Sequence, residues 1–125
     1  METEKNLETS FAGECQAYRK YHLFAEKAEK EKYPEIANLF RQIAEEEVHH
    51  AVEEAELLRM IRSTKENLES SIEGESYESE RMYPEFAEIA KKEGNEAVAS
   101  RFKEIAEDEK EHLKKYREAL KKLGK

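Results

Sequence analysis

Apolar residues recur every three or four positions along almost the whole chain, which is the spacing of one face of an α-helix. The pattern divides into four segments, at about residues 3–31, 34–62, 66–93 and 96–123. Pro34 suits the first turn of the second helix, and Gly94 with Asn95 closes the third. Pro84 falls inside the third segment and predicts a kink there. The pattern therefore predicts an all-α protein of four helices.

The second half of the chain repeats the first. Residues 24–26 match residues 86–88, and residues 40–44 match residues 102–106, both at an offset of 62. A Gly-Glu pair, Gly13-Glu14, recurs as Gly74-Glu75 at an offset of 61. The repeat predicts one domain over residues 1–125, made of helix hairpins at about 3–62 and 66–123. Two such hairpins form a four-helix bundle.

The amino-acid composition disfavours several kinds of function. Of 125 residues, 30 are acidic, and all of these except Asp108 are glutamate, which gives a formal net charge of −8. This charge disfavours a nucleic-acid partner, because phosphate backbones attract basic surfaces. No apolar run approaches the ~20 residues that span a bilayer, and no leader segment is visible, so we expect a cytoplasmic protein without a membrane partner. Cys15 is the only cysteine, which excludes an internal disulfide and any Cys-x-x-Cys site.

Charged residues interrupt the apolar stripe of every helix at mid-length. Burying unpaired carboxylates costs several kcal/mol each, and clustered carboxylates also repel one another. Lys and Arg are absent from these positions, so bound metal ions are the simplest source of compensating charge. The interrupting residues are Glu14 in the first helix, Glu47 and His50 in the second, Glu75 and Glu78 in the third, and Glu109 and His112 in the fourth.

Two Glu-x-x-His motifs plus a Glu from each remaining helix form the ligand set of ferritin-like di-iron and di-manganese bundles. Oxygen-rich coordination with one His per metal suits iron or manganese better than structural zinc. Glu is so frequent that a single motif is weak evidence, and Glu46 with His49 offers a competing pair. The repeat favours Glu47 and His50, because they align with Glu109 and His112 at the offset of 62. The sequence therefore predicts a two-metal site.

Several other residues have alternative interpretations. A glycine precedes the Glu of the apolar stripe in both halves of the chain, at Gly13 and Gly74. This position suggests close approach of a helix or a ligand. Alternatively, the glycines are simply small residues in a packed interior. Cys15 lies about 100° from the ligand face, which favours a packing role. His22 and His49 are interpreted as surface or boundary residues.

The chain resembles a known family in segments that cover nearly its whole length. The matching segments are Phe11-Ala-Gly-Glu14, Phe40-Arg-Gln-Ile-Ala with Glu47-x-x-His50, Gly74-Glu75-x-x-Glu78, Met82-Tyr83-Pro84-x-Phe86 and Glu109-x-x-His112. These resemble the ferritin-like, erythrin-type domain of rubrerythrins, including the short sulerythrin-like forms.

The resemblance implies roles for individual residues. It implies that Glu14, Glu47, Glu75, Glu109 and His112 bind two irons, with Glu47 and Glu109 bridging. It further implies that Glu78 and His50 exchange at one iron, Glu78 binding in the diferric state and His50 in the diferrous state. Tyr21 and Tyr83 match tyrosines that hydrogen-bond the ligand carboxylates, although ordinary core tyrosines would fit the same positions.

The resemblance also implies an activity, the reduction of hydrogen peroxide to water in oxidative-stress defence. Peroxide would react across two ferrous ions and leave an oxo- or hydroxo-bridged diferric centre, with manganese or zinc as possible substitute metals. The paired Cys-x-x-Cys knuckles of the family's rubredoxin-like domain are not found, so we expect electrons from a separate rubredoxin-like or other small donor. An iron-oxidising or iron-storing ferritin-like protein that uses O2, and a metal-free structural bundle, are the alternatives.

The resemblance bears on assembly as well. In the family's bundle helices 2 and 3 run parallel, so the connection would travel ~42 Å along a helix of ~28 residues. A linker at 63–67 spans at most ~17 Å. We therefore expect a homodimer that exchanges hairpins, a domain-swapped arrangement, while an unswapped up-down-up-down bundle is the alternative.

Overall fold

A computed structural model describes residues 1–124 of the chain. No β-strand is formed within that range, and the predicted all-α class is confirmed. A five-residue π-helical segment, Glu78–Met82, joins the third helix to the fourth without a break. The α-helices are α1 (Glu2–Lys30), α2 (Pro34–Leu57), α3 (Thr64–Tyr77), α4 (Tyr83–Lys92) and α5 (Glu96–Leu123).

The helices form two compact units, residues 1–61 and residues 62–125. In the first unit α1 packs against α2. In the second unit α3, the π-helical segment and α4 act as one long helix that packs against α5. Each unit is thus one helix hairpin, as the sequence repeat predicts. No helix among residues 1–124 combines the length and the apolar character needed to cross a membrane.

The segment between the hairpins differs from the prediction. The second helix ends at Leu57 rather than 62, because Arg59 adopts a left-handed conformation with φ 55°. Its N–H donates to the Glu56 carbonyl and the Met60 N–H donates to the Ala55 carbonyl, a Schellman ending that usually uses glycine. The third helix starts at Thr64 rather than 66, because the Ser63 hydroxyl accepts a hydrogen bond from the Glu66 N–H. The connection is therefore 58–63 and not 63–67.

The π-helical segment explains why the repeat has two offsets. The offset is 61 at Glu75 and 62 at Tyr83, so the second hairpin contains one additional residue between these positions. A π-helical turn accommodates one extra residue in a helix, and Glu78–Met82 fills the interval. The irregularity predicted at Pro84 thus lies one turn earlier. Pro84 itself occupies the first turn of α4, where its missing N–H costs little.

Alanines form the contact between the two helices of each hairpin, and their small side chains let the helices approach closely. The fully or nearly fully buried apolar residues are Ala25, Ala28, Ala37, Ala44, Ala51 and Ala55 in the first hairpin, and Ala87, Ala90, Ala99, Ala106 and Leu113 in the second. The stripe glycines do not play this part. A Cβ at Gly13 would meet no described atom within 4 Å, so no helix approaches it closely, and approach of a ligand stays a prediction.

Aromatic clusters repeat between the hairpins with similar distances between ring centroids. The ring centroids of Phe24 and Phe40 are 5.5 Å apart, and those of Phe86 and Phe102 are 5.6 Å apart. Tyr21 lies 6.0 Å from Phe40, and Tyr83 lies 6.0 Å from Phe102, each pair with an interplanar angle of 35°. Both clusters lie on the side of the hairpin that carries the acidic stripe residues, one to two helical turns along.

Each hairpin also leaves large apolar side chains in contact with solvent. In the first hairpin the exposed residues include Leu23, Phe24, Ile36 and Leu39, and in the second Phe86, Ile89 and Val98. A folded protein normally covers such a concentration of large apolar groups. Each hairpin therefore has the character of half a hydrophobic core.

Candidate metal centre

The first hairpin brings three predicted ligands together. Glu14 on α1 and Glu47 and His50 on α2 each offer a ligand atom, and these atoms lie within 4.8 Å of one another. The His50 Nδ1 is 3.5 Å from Glu14 Oε2. A hydrogen-bonding contact with Glu14 raises the pKa of Glu47; partial burial and the charge of Glu14 add to this effect, and His50 opposes it. Two carboxylates are thus held close enough to compete for one proton.

The second hairpin repeats this arrangement. Glu75 on α3 and Glu109 and His112 on α5 form a second group of ligand atoms within 4.8 Å of one another. The His112 Nδ1 lies 3.2 Å from Glu109 Oε1 and 3.7 Å from Glu75 Oε1. Both hairpins therefore present two carboxylates and the Nδ1 atom of one imidazole to a common point.

Glu78 breaks the symmetry between the two groups. It begins the π-helical segment, and the corresponding residue of the first hairpin is Ala17. A hydrogen-bonding contact with Glu109 raises the pKa of Glu78, with burial and the charge of Glu109 acting in the same direction. Glu78 thus adds a further carboxylate beside the ligands of the second hairpin only.

Two buried oxygen atoms show that the donor set fits a metal ion. Glu14 Oε2 and Glu75 Oε2 are buried and accept no hydrogen bond, although a buried carboxylate oxygen normally has a partner. They occupy equivalent positions in the two hairpins, each beside a second carboxylate and an imidazole nitrogen. Oxygen, oxygen and nitrogen donors of this kind suit divalent iron or manganese. The two groups fit di-iron binding, as the sequence predicts.

The two predicted tyrosines do not hydrogen-bond the ligand carboxylates. Tyr21 and Tyr83 pack against phenylalanine rings, and within residues 1–124 neither hydroxyl donates to a ligand carboxylate. Burial raises the pKa of Tyr83, and the nearby charges of Glu109, Glu78 and Glu75 raise it further. Tyr83 therefore lies in the field of the second ligand group, and the hydrogen-bonding role of both tyrosines stays a prediction.

The remaining candidates lie away from the ligand groups. Glu46 and His49, the competing pair, are exposed, and so is Cys15. His22 contacts the edge of the Tyr18 ring at 4.7 Å and lies 3.6 Å from Glu45, which fits a boundary residue. Helical periodicity did not predict the π-helical segment, although the change of offset between Glu75 and Tyr83 indicates an inserted residue there.

Comparison with known proteins decides the family. The rubrerythrin family profile matches residues 5–120. The chain belongs to the rubrerythrin family. It is 40% identical to a rubrerythrin of Porphyromonas gingivalis, an alignment that covers 91% of this chain and 64% of that protein. It is 35% identical to a putative rubrerythrin of Methanocaldococcus jannaschii, over 98% of this chain and 71% of that one. The chain thus spans about two thirds of the length of these rubrerythrins.

Solved structures of rubrerythrin relatives agree with the fold. Nigerythrin in its fully reduced, all-ferrous state is 32% identical with a TM-score of 0.51, over 98% of this chain and 67% of that chain. Symerythrin from Cyanophora paradoxa is 28% identical with a TM-score of 0.50, over 96% of this chain and 84% of that one. The predicted ferritin-like helical-bundle class is confirmed.

The carboxylate contacts predict how the stability of the metal-free protein depends on pH. The native pKa of Glu47 lies above its ordinary value of 4.5, so the native state binds this proton more tightly than the unfolded chain does. The resulting stabilisation is complete below pH 4.5 and is lost as pH rises through the native pKa. We expect Glu47→Gln to raise the midpoint of thermal unfolding of the metal-free protein at pH 7.

The advantage of Glu47→Gln should vanish near pH 4, where the wild-type side chain is itself protonated. Glu46→Gln, at the exposed neighbouring position, is the matched control and should change little at either pH. Thermal unfolding of both variants and wild type across this range measures the effect. Equal unfolding midpoints for wild type and Glu47→Gln at pH 7 would contradict the repulsion between Glu14 and Glu47.

Proposed function

We propose that this protein is a cytoplasmic di-iron peroxidase that reduces hydrogen peroxide to water in defence against oxidative stress. The observation that supports this proposal best is the pair of equivalent Glu/Glu/His groups, one in each hairpin, with Glu78 added to the second group only. A structural bundle has no need of carboxylates crowded on its apolar faces. A symmetric metal site has no need of a seventh ligand on one side.

We assign the metal-binding positions to Glu14, Glu47, His50, Glu75, Glu78, Glu109 and His112. A bound pair of iron ions would supply the two electrons that peroxide takes up, and would hold both of its oxygens. With two protons, one peroxide then yields two waters. The five carboxylates neutralise most of the metal charge. Seven protein ligands also leave little room for an organic substrate, which favours peroxide reduction over oxygenation.

Glu78 and His50 are proposed as the residues that respond to the oxidation state. The imidazole of His50 is exposed, whereas Glu78 is partly buried and contacts Glu109. A neutral imidazole suits a metal of lower charge, and a second carboxylate suits a metal of higher charge. The position of Glu78 in a π-helical turn supports this role, because such turns interrupt the regular helical hydrogen bonds and recur at functional sites.

Tyr83 is proposed as a donor of hydrogen bonds in the site. Burial and three carboxylates raise its pKa, so the hydroxyl keeps its proton throughout the neutral range. A hydroxyl that stays protonated among carboxylates can donate to a ligand oxygen or to an oxygen of the substrate. Tyr21 occupies the equivalent position in the first hairpin and is proposed to act in the same way.

The proposed cycle closes when two electrons return from a one-electron donor, such as a rubredoxin-like protein, that is oxidised twice for each peroxide. We also propose a homodimer in which hairpins of both kinds combine. The exposed apolar side chains of each hairpin support it, because each hairpin has half a core to cover. The connection at 58–63 spans ~20 Å at most, which is about half the length of a long helix.

The peroxidase proposal is tested by rapid mixing of the ferrous-loaded protein with hydrogen peroxide and, separately, with O2. We expect peroxide to react faster, and we expect Glu78→Ala to slow the peroxide reaction ~10- to 100-fold, as loss of a group that supports a metal site commonly does. Glu80→Ala, which removes an exposed carboxylate from the same π-helical segment, is the control and should react as wild type does.

A faster reaction with O2, or accumulation of iron far beyond two ions per chain, would replace the peroxidase proposal with ferritin-like iron oxidation or storage. Absence of metal binding would leave the structural bundle. Equal rates for Glu78→Ala and wild type would contradict only the proposed role of Glu78.

The assembly is tested by the mass of the metal-loaded protein in solution. One chain has a mass of 14.7 kDa, and we expect twice that mass at micromolar concentration. Sedimentation of the protein with its metal content measured in parallel provides the answer. A monomer with two ions bound would contradict the exchanged dimer.

A further inference from the structure

The second hairpin carries a basic groove on its outer side. A cavity of about 410 Å³ lies between α4 and α5, with Ala87 and Ala106 in its floor. Three lysines, Lys91, Lys103 and Lys110, line it. Lys110 donates to Glu107 at 3.1 Å, an exposed pair that leaves the groove open to solvent. An opening with an apolar floor and ammonium groups on its walls suits an anionic partner.

The groove continues into a basic stripe along α5. A second cavity of about 240 Å³ follows the same helix toward its end. The cations recur at intervals of seven, four, three and four residues, so they lie within a strip about 60° wide on the helix surface and extend over ~27 Å. Six cations line the two cavities against three carboxylates, in a chain whose net charge is −8. The stripe consists of Lys103, Lys110, Lys114, Arg117 and Lys121.

The first hairpin shares the same architecture but does not carry this set of basic side chains at the equivalent positions. There, Arg41 donates to Glu29 at 2.9 Å, so the charges at the corresponding positions pair with each other. At the offset of 62 these residues become Lys103 and Lys91, two like charges. The counterparts of Lys110 and Lys114 are valines, Val48 and Val52. The basic surface is thus a property of one hairpin and not of the helical framework.

We propose that the basic groove and stripe of the second hairpin dock the acidic electron-donor protein that re-reduces the metal centre, an inference that rests on the proposed function. An acidic partner is repelled by most of this chain and attracted by this face, so electrostatic steering selects the contact. A contact ~27 Å long and one helix wide matches the small interfaces of transient electron-transfer complexes.

A protein fits this face better than a nucleic acid does. Glu107 and Glu118 border the stripe along one side, and a long duplex would extend past the stripe onto acidic surface. A compact partner with one acidic patch avoids these carboxylates. The charge pattern therefore favours a small protein over an extended polyanion.

The position of the stripe also suits electron transfer to the ligands. Lys103 and His112 are nine residues apart on α5, which places them on opposite sides of the helix, about 180° apart. The diameter of one helix, ~10–12 Å, therefore separates a docked donor from the side that carries His112 and Glu109. The donor approaches from outside and leaves the ligand side of the hairpin uncovered.

The test uses a rubredoxin of net negative charge as the probe and measures its association with the metal-loaded protein by NMR titration, without peroxide. We expect association to weaken at least ~10-fold in the double variant Lys110→Glu with Lys114→Glu, because opposed charges become like charges. Lys91→Glu should also weaken it, because the new carboxylate would pair with Lys103 as Glu29 pairs with Arg41. The matched control, Lys115→Glu with Lys122→Glu, changes the net charge of the same helix equally at exposed positions off the stripe and should change association less than ~3-fold.

Equal weakening by the stripe and control variants would overturn the proposal, because it would show a response to net charge alone. Tighter association of the wild type with a short DNA duplex than with the rubredoxin would also overturn it. The rate at which the reduced rubredoxin reduces the diferric protein should follow the same order as the binding. Turnover of peroxide by the wild type with a small chemical reductant is measured in parallel. Absence of this turnover would contradict the proposed peroxidase function, and the docking result would be judged separately.

Discussion

Repulsion between carboxylates held at close range is the interaction on which the rest of this structure depends. In each hairpin one Glu from the first helix meets a Glu and a His from the second, at the level where an ordinary helix pair would bury aliphatic side chains. The raised pKa values of Glu47 and Glu78 express the cost of this arrangement in the metal-free protein. Under the proposed function, charge from bound cations would offset this repulsion and favour metal binding.

The other features of the hairpins are consistent with holding these groups in place. Alanines such as Ala25 and Ala87 let paired helices approach closely, so that carboxylates from facing helices meet. Aromatic clusters around Phe40 and Phe102 brace the helices one to two turns away from the ligands. The single irregular element, the π-helical turn, lies where the second hairpin gains Glu78. The framework is therefore duplicated, and the departures from duplication lie in the site and on the outer face of α5.

Sequence patterns predicted much of this architecture for identifiable reasons. Helical periodicity, together with the repeat at an offset of 62, was sufficient to define two hairpins, and the same offset separated Glu47 and His50 from the exposed pair Glu46 and His49. The end of α2 was predicted five residues too late, because its left-handed residue is Arg59 and carries no glycine signal. Close approach of a helix at Gly13 was not found, whereas approach of a ligand stays a prediction. The π-helical turn was missed because helical periodicity alone does not reveal a single inserted residue.

Anaerobic titration with ferrous ion measures whether the two equivalent carboxylate groups hold a pair of metal ions. We expect two ferrous ions to bind per chain in the wild type. The same number should bind in the control Glu46→Gln with Glu73→Gln, which changes two exposed residues. We expect fewer than one ion per chain for Glu14→Gln with Glu75→Gln, the positions within the ligand groups whose Oε2 atoms are buried and accept no hydrogen bond. Equal stoichiometry in all three proteins would contradict this expectation.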